Sequence, residues 1–178
     1  MTGREHYTPG PADMARVEKD GETWTLVLVK ELRQPPEKVW QALTDPAQLR
    51  EWAPFDASGS MATVGATVKL TTVGAPSPHV TETTVTRADA PTVLEYNWGG
   101  FDMRWKLDAA AGGTRLTLWT NIDRRYIAMG AAGWHLCLDV LDRLLSGQPI
   151  GRIVGPDAMA FDGWQRLHAE YTRRFAQS

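Results

Sequence analysis

His135 and Asp139 stand four residues apart in a stretch with helical period, a spacing that lets a carboxylate orient an imidazole as a general base. The same spacing on the polar side of an amphipathic helix also describes a solvated ion pair, and a solvated pair is the expectation here. His79 follows the Gly-Ala-Pro-Ser-Pro loop at 74–78, where it would either overhang a cavity mouth or stand as a plain loop histidine. Glu82 and Glu95 are strand carboxylates whose face the alternation leaves open; an inward Glu82 would have its pKa raised by burial and serve as a general base, whereas most strand glutamates face water. Cys137 lies two residues from His135 and so on another side of the helix, which makes it a small buried apolar residue rather than a nucleophile. His6, His79, His135 and His168 are far apart and have no cysteine at ligand spacing, so no metal site is expected. Gly99-Gly100 and Gly112-Gly113 sit between strands rather than before helices, so no phosphate cradle and no cofactor is expected. No catalytic residue is assigned.

Chemistry this sparse shifts attention to the elements that carry it. From Leu26 to Trp52 a strand runs straight into a helix primed by Pro35 and Pro36. Val39, Trp40 and Leu43 fall on one stripe, and Asp45-Pro46 opens a second short helix carrying Leu49 and Trp52. Strands are expected at 15–19, 22–32, 58–63, 66–73, 80–87, 93–98, 101–108 and 114–123, with turns at Asp20-Gly21, Gly99-Gly100 and 110–113. Phe101, Met103, Trp105 and Leu107 alternate with Asp102, Arg104 and Lys106, giving one apolar and one polar face. From Ile127 the period becomes helical, with Trp134, Leu138, Leu141 and Leu145 on one stripe. A last helix, about 162–175, carries Trp164, Leu167, Tyr171 and Phe175. Trp119 falls on the opposite face from Leu118, where the last helix or a second subunit would cover it, so a homodimer is among the expectations.

Composition bounds the function. The chain has 178 residues, 19 basic against 21 acidic, one cysteine and eight tryptophans. That balance offers no field for nucleic acid, and no apolar run approaches the ~20 residues of a membrane span. With no signal-like start and no disulfide, a cytoplasmic setting is expected. Residues 1–14, polar and without period, are expected to be flexible, and 15–178 to form one domain, with 147–178 as a C-terminal extension.

The segment Leu26–Trp52 resembles the opening of the Hsp90-ATPase-activator-like branch of the START/polyketide-cyclase/Bet v 1 superfamily. So do Gly112–Leu118 (GGTRLTL), Leu94–Trp98 (LEYNW) and Ala131–Leu145 (AAGWHLCLDVLDRLL). The resemblance implies an α+β helix-grip fold. In it a curved antiparallel sheet of six to seven strands wraps a long C-terminal helix, with two short helices after the first long strand and an extra terminal helix. It also implies an internal cavity for a small hydrophobic or aromatic molecule. Expected walls are Trp98, Met103, Trp105, Leu118, Trp134, Leu138 and Leu141, with Tyr96 and Thr120 to orient the ligand and Trp52, Phe55 and His79 at the mouth. The same branch also implies a cyclase-like enzyme, in which shape and proximity supply the rate, or a chaperone-binding domain; 178 residues accommodate one such domain.

Overall fold

The computed structural model describes residues 6–74 and 79–176. β1 (Ala15–Asp20) and β2 (Thr23–Leu32) form a hairpin around Gly21, whose φ of 62° is the left-handed conformation that a tight turn demands. α1 (Pro36–Thr44) and α2 (Pro46–Leu49) follow, each with proline in its first turn. Asp45 Oδ1 caps α2 by accepting from Ala47 N at 3.0 Å. Seven more strands are β3 (Phe55–Ala57), β4 (Thr67–Thr72), β5 (His79–Thr84), β6 (Arg87–Asp89), β7 (Val93–Trp98), β8 (Phe101–Ala110) and β9 (Gly113–Asn121). They pair antiparallel into a six-stranded sheet of order β1-β2-β9-β8-β7-β6 and a three-stranded sheet β3-β4-β5. A 3₁₀ turn at Arg124–Tyr126 leads into α3 (Ile127–Leu145), followed by α4 (Gly155–Met159) and α5 (Asp162–Phe175). This is the expected helix-grip architecture.

One local expectation is corrected. No strand forms at 58–63; the pairing residues are Phe55–Ala57 instead. Met61 turns fully inward, and its N–H bonds the Thr44 carbonyl at the end of α1, so the segment leaves β4 after Ser58 and crosses to the helix. The N-terminal stretch, expected to be flexible, holds Tyr7, Pro9 and Ala12 buried between exposed neighbours (the expectation for residues 1–5 lies outside the described residues). Tyr7 is buried and stacks on Phe161, their ring centroids 5.9 Å apart. Arg166 bonds the carbonyls of Pro9 and Gly10, Glu170 accepts from Ala12 N at 3.2 Å, and Arg174 donates to Ala12 O at 3.1 Å. Residues 7–14 are therefore strapped along α5.

Beneath the strap lies a polar network where the sequence suggests a wet helix face. Asp139, on α3, accepts from Tyr7 Oη at 2.5 Å and Lys30 Nζ at 2.9 Å, with His135 Nε2 at 3.5 Å. His135 Nδ1 is 2.8 Å from Tyr171 Oη, which also takes Met14 N at 3.3 Å. His135 is 1% exposed and Asp139 8%, so the expected solvated pair is a buried one. Periodicity along α3 cannot register the cover, because it comes from β2, α5 and the strap.

Burial pushes the Asp139 carboxyl up, but hydrogen bonds from His135 and Tyr7 and the Lys30 charge outweigh it and hold the group at about 2. A carboxylate whose folded pKa is depressed contributes stability above its unfolded pKa and loses it as pH falls through the folded value. Acid titration is therefore expected to remove about 2 kcal/mol between roughly pH 4 and pH 2. Thermal melts across that range check it. An Asp139→Asn variant with the same pH dependence as wild type would assign the loss to other carboxylates.

Candidate functional site

Between the first half of α3, the ends of β7–β9 and the segment after α3 lies a cavity of about 500 Å³. Trp98, Phe101, Met103, Thr120 and Ile122 line it from the sheet, and Met129, Gly130, Gly133, Trp134 and Cys137 from the helix. Ile153, Val154, Ala158, Met159 and Trp164 close its outer side. That size lies within the range that accepts drug-sized molecules.

Two glycines on α3 explain why the space is there. A Cβ on Gly130 would meet Ile122 Cδ1 at 2.6 Å, so this glycine lets the end of β9 approach the helix. A Cβ on Gly133 would meet nothing within 4 Å. Gly133 lines the cavity, so part of the void is the side chain it lacks.

Aromatic packing fixes the inner wall. Trp134 meets Trp98 at 6.1 Å and Trp105 at 5.7 Å between ring centroids, both edge-on. Phe55 holds Trp98 from behind at 5.0 Å, and Trp52 holds Trp105 edge-on at 5.9 Å. Edge-to-face contacts of this kind add about 1 kcal/mol each to area burial and restrict ring orientation.

Of the expected wall residues, Trp98, Met103, Thr120 and Trp134 line the cavity. Trp105, Leu118, Leu138, Leu141 and Tyr96 lie instead in the packed core. Alternation assigns a residue to a face but not to a depth, and these sit deeper than the void. Tyr96 Oη accepts from Trp105 Nε1 at 3.1 Å, and neither residue lines the cavity. Trp52 and Phe55, expected at the mouth, are each 1% exposed; Trp52 Nε1 donates to Ala42 O at 3.0 Å. His79 is exposed on β5, away from the cavity.

The actual rim is Phe101, Tyr126, Met129 and Met159, each between 41% and 50% exposed. Four of the six large apolar side chains exposed among the described residues thus gather at one opening. Tyr126, Ile153 and Val154 escape periodicity because they lie in a turn and an irregular link, and Ala158 and Met159 because α4 makes little more than one turn. The legible signal is a pair of glycines three apart, Gly130 and Gly133, in the apolar opening of α3 at 127–134.

Charge is nearly absent from the lining. Asp123 is its one acidic side chain; hydrogen bonds from Arg125 hold the carboxyl at about 2. Burial raises the Cys137 thiol to about 12, against a weaker opposing pull from Arg152, so it is a neutral apolar group at pH 7. His135 and Asp139 are occupied in the network under the strap and do not line the cavity. Glu82 is exposed, and Glu95 pairs with Arg87 at 3.5 Å; both border a polar groove on the opposite face of the sheet. Trp119, on that face, is covered by the Arg104 guanidinium at 5.0 Å rather than by α5. Among the described residues no cluster of histidine, cysteine or carboxylates could hold a metal ion, and no helix is long and apolar enough to cross a membrane. The arrangement offers apolar surface, aromatic faces and a few hydroxyls, and no acid–base pair.

Residues 33–146 match the family model described as "Activator of Hsp90 ATPase homolog 1-like protein". No curated protein matches the chain. Among solved structures, a conserved protein of unknown function from Enterococcus faecalis superposes with a TM-score of 0.71 at 14% identity, covering 93% of this chain and 92% of that one. CalU16 from Micromonospora echinospora gives 0.62 at 19% identity, over 89% and 92%. DynU16, from the dynemicin biosynthetic locus, gives 0.63 at 24%, over 73% of this chain and 50% of its own. At these identities the likeness is one of fold.

Proposed function

This chain belongs to the Activator of Hsp90 ATPase homolog 1-like family, within the START/polyketide-cyclase/Bet v 1 superfamily, and from that premise we propose that it binds a small, uncharged, hydrophobic or aromatic molecule between sheet and long helix. One observation carries this reading: a void of about 500 Å³ whose lining, among the described residues, includes three indoles and a single charged side chain, Asp123, which is paired with Arg125 outside the lining. Apolar area removed from water supplies the affinity, at about 25 cal/mol per Å² before the costs of association. Trp98 and Trp134 offer ring faces and edges for stacking. The Thr120 hydroxyl supplies orientation. A cyclase-type reaction on the same scaffold would need a proton donor or acceptor tuned by its surroundings, and no such pair lines the void.

N-phenyl-1-naphthylamine, a neutral aromatic fluorophore, tests the proposal. The wild-type protein is expected to bind it in the micromolar range, and Trp134→Ala to weaken binding by roughly tenfold. Trp105→Ala, from the layer behind, is expected to cost about 3–5 kcal/mol of stability while the folded fraction still takes up probe. No uptake by the wild type, or equal loss in both variants, would sink the cavity-ligand reading.

A further inference from the structure

The inner wall of the cavity is built by the family core, but its outer wall is not. Ile153, Val154, Ala158, Met159 and Trp164 all follow residue 146, where the family match ends. Resting on the ligand-binding reading above, we propose that the segment from Ile150 to Trp164 is the specificity-determining wall, which selects apolar ligands by size through the side chains of α4.

Two clasps fix where this wall stands. At its start, the Arg152 guanidinium bonds Asp56 at 2.7 Å and the Leu49 carbonyl at 3.4 Å. Next to it the chain crosses Gly74 with backbone against backbone: a Cβ on Gly155 would lie 2.8 Å from Gly74 Cα. Gly155 also has φ of 61°, so this position requires glycine twice over. At the far end, Phe161 stacks on Tyr7 with an interplanar angle of 3°. There a Cβ on Gly163 would lie 2.8 Å from Pro9 Cδ. Between the clasps α4 makes little more than one turn and is in no sheet, so its distance from α3 follows from the two anchors.

The side chains on that turn decide how much room remains. Ala158 is 4% exposed and lines the cavity with a single methyl, while Met159, next to it, is half exposed at the rim. Across the void stand the indoles of Trp98 and Trp134. A ligand is thus held between an aromatic inner wall and an outer one that is aliphatic from Ile153 to Met159 and ends on the Trp164 indole, which suits an uncharged ring system with an aliphatic edge. Enlarging residue 158 shortens the space facing those rings, and trimming residue 159 opens its edge. Neither change touches the inner wall.

Two neutral probes of different size, indole and N-phenyl-1-naphthylamine, read this out on the full chain. Ala158→Phe is expected to weaken the larger probe by roughly 30-fold or more and indole by less than about threefold. Met159→Ala, a change at a half-exposed position that the fold tolerates, is expected to speed dissociation of the larger probe by roughly fivefold and leave indole unchanged. Equal effects on both probes, or none, in properly folded variants overturn the outer-wall assignment while leaving the cavity reading intact. A wild-type protein that binds neither probe overturns the cavity reading itself.

Discussion

Gly133→Leu is expected to abolish uptake of N-phenyl-1-naphthylamine, a loss of roughly 100-fold or more, without lowering the melting temperature. The position is helical, so glycine there costs about 0.7 kcal/mol relative to leucine in backbone entropy. A Cβ at 133 meets no atom within 4 Å, so the first carbon of the new side chain enters without a clash. The rest of the leucine projects into the cavity and takes the volume a ligand needs. Binding and stability therefore move in opposite directions, which separates a blocked site from a damaged fold. Gly130→Leu is the contrast: its Cβ would stand 2.6 Å from Ile122 Cδ1, so the end of β9 has to shift and stability falls. Isothermal titration with the probe, paired with thermal melts, checks both. A Gly133→Leu protein that still binds normally would mean that the void near 133 is not where ligands sit.

Asp139→Ala is expected to be the most destabilising polar substitution in the chain, costing about 3 kcal/mol because it strands buried partners. Lys30 loses its 2.9 Å partner, and the Tyr7 hydroxyl loses its acceptor in surroundings that already push its ionisation far above the usual phenol range, by burial first and the Asp139 charge second. For a chain of this size that is a fall in Tm of about 10 °C. Asp139→Asn retains an acceptor for Tyr7 and shape for packing, so its loss is expected to be smaller. A double-mutant cycle with Tyr7→Phe measures how much passes through the strap. Additive effects would show that none of the Asp139 contribution passes through Tyr7 and the strap.

The strand-to-helix passage at 26–52 was legible because proline placement, the Asp45 cap and the Trp40 stripe all specify the same local geometry. The α3 stripe facing the sheet was legible for the same reason. What stayed hidden depends on partners distant along the chain. Asp139 looked solvated because nothing near it in sequence reports Tyr7, Lys30 or Tyr171. Trp105 looked like a cavity wall because alternation fixes orientation and says nothing of depth. The outer wall was invisible because Ile153 to Met159 has no period and is placed by Gly74, Asp56 and Tyr7. Absence of a side chain at Gly133 shaped the void as much as any residue present.

The strap has a kinetic consequence. Tyr7 meets Asp139 across 132 positions and Ala12 meets Arg174 across 162, so these contacts close nearly the largest loops the chain can make. Contacts of such long range are expected to form after the helix-grip nucleus rather than within it. Weakening them, as in Tyr7→Phe, is then expected to quicken unfolding and scarcely slow folding in stopped-flow measurements, so that the strap sets the lifetime of the native molecule rather than the speed with which it arises.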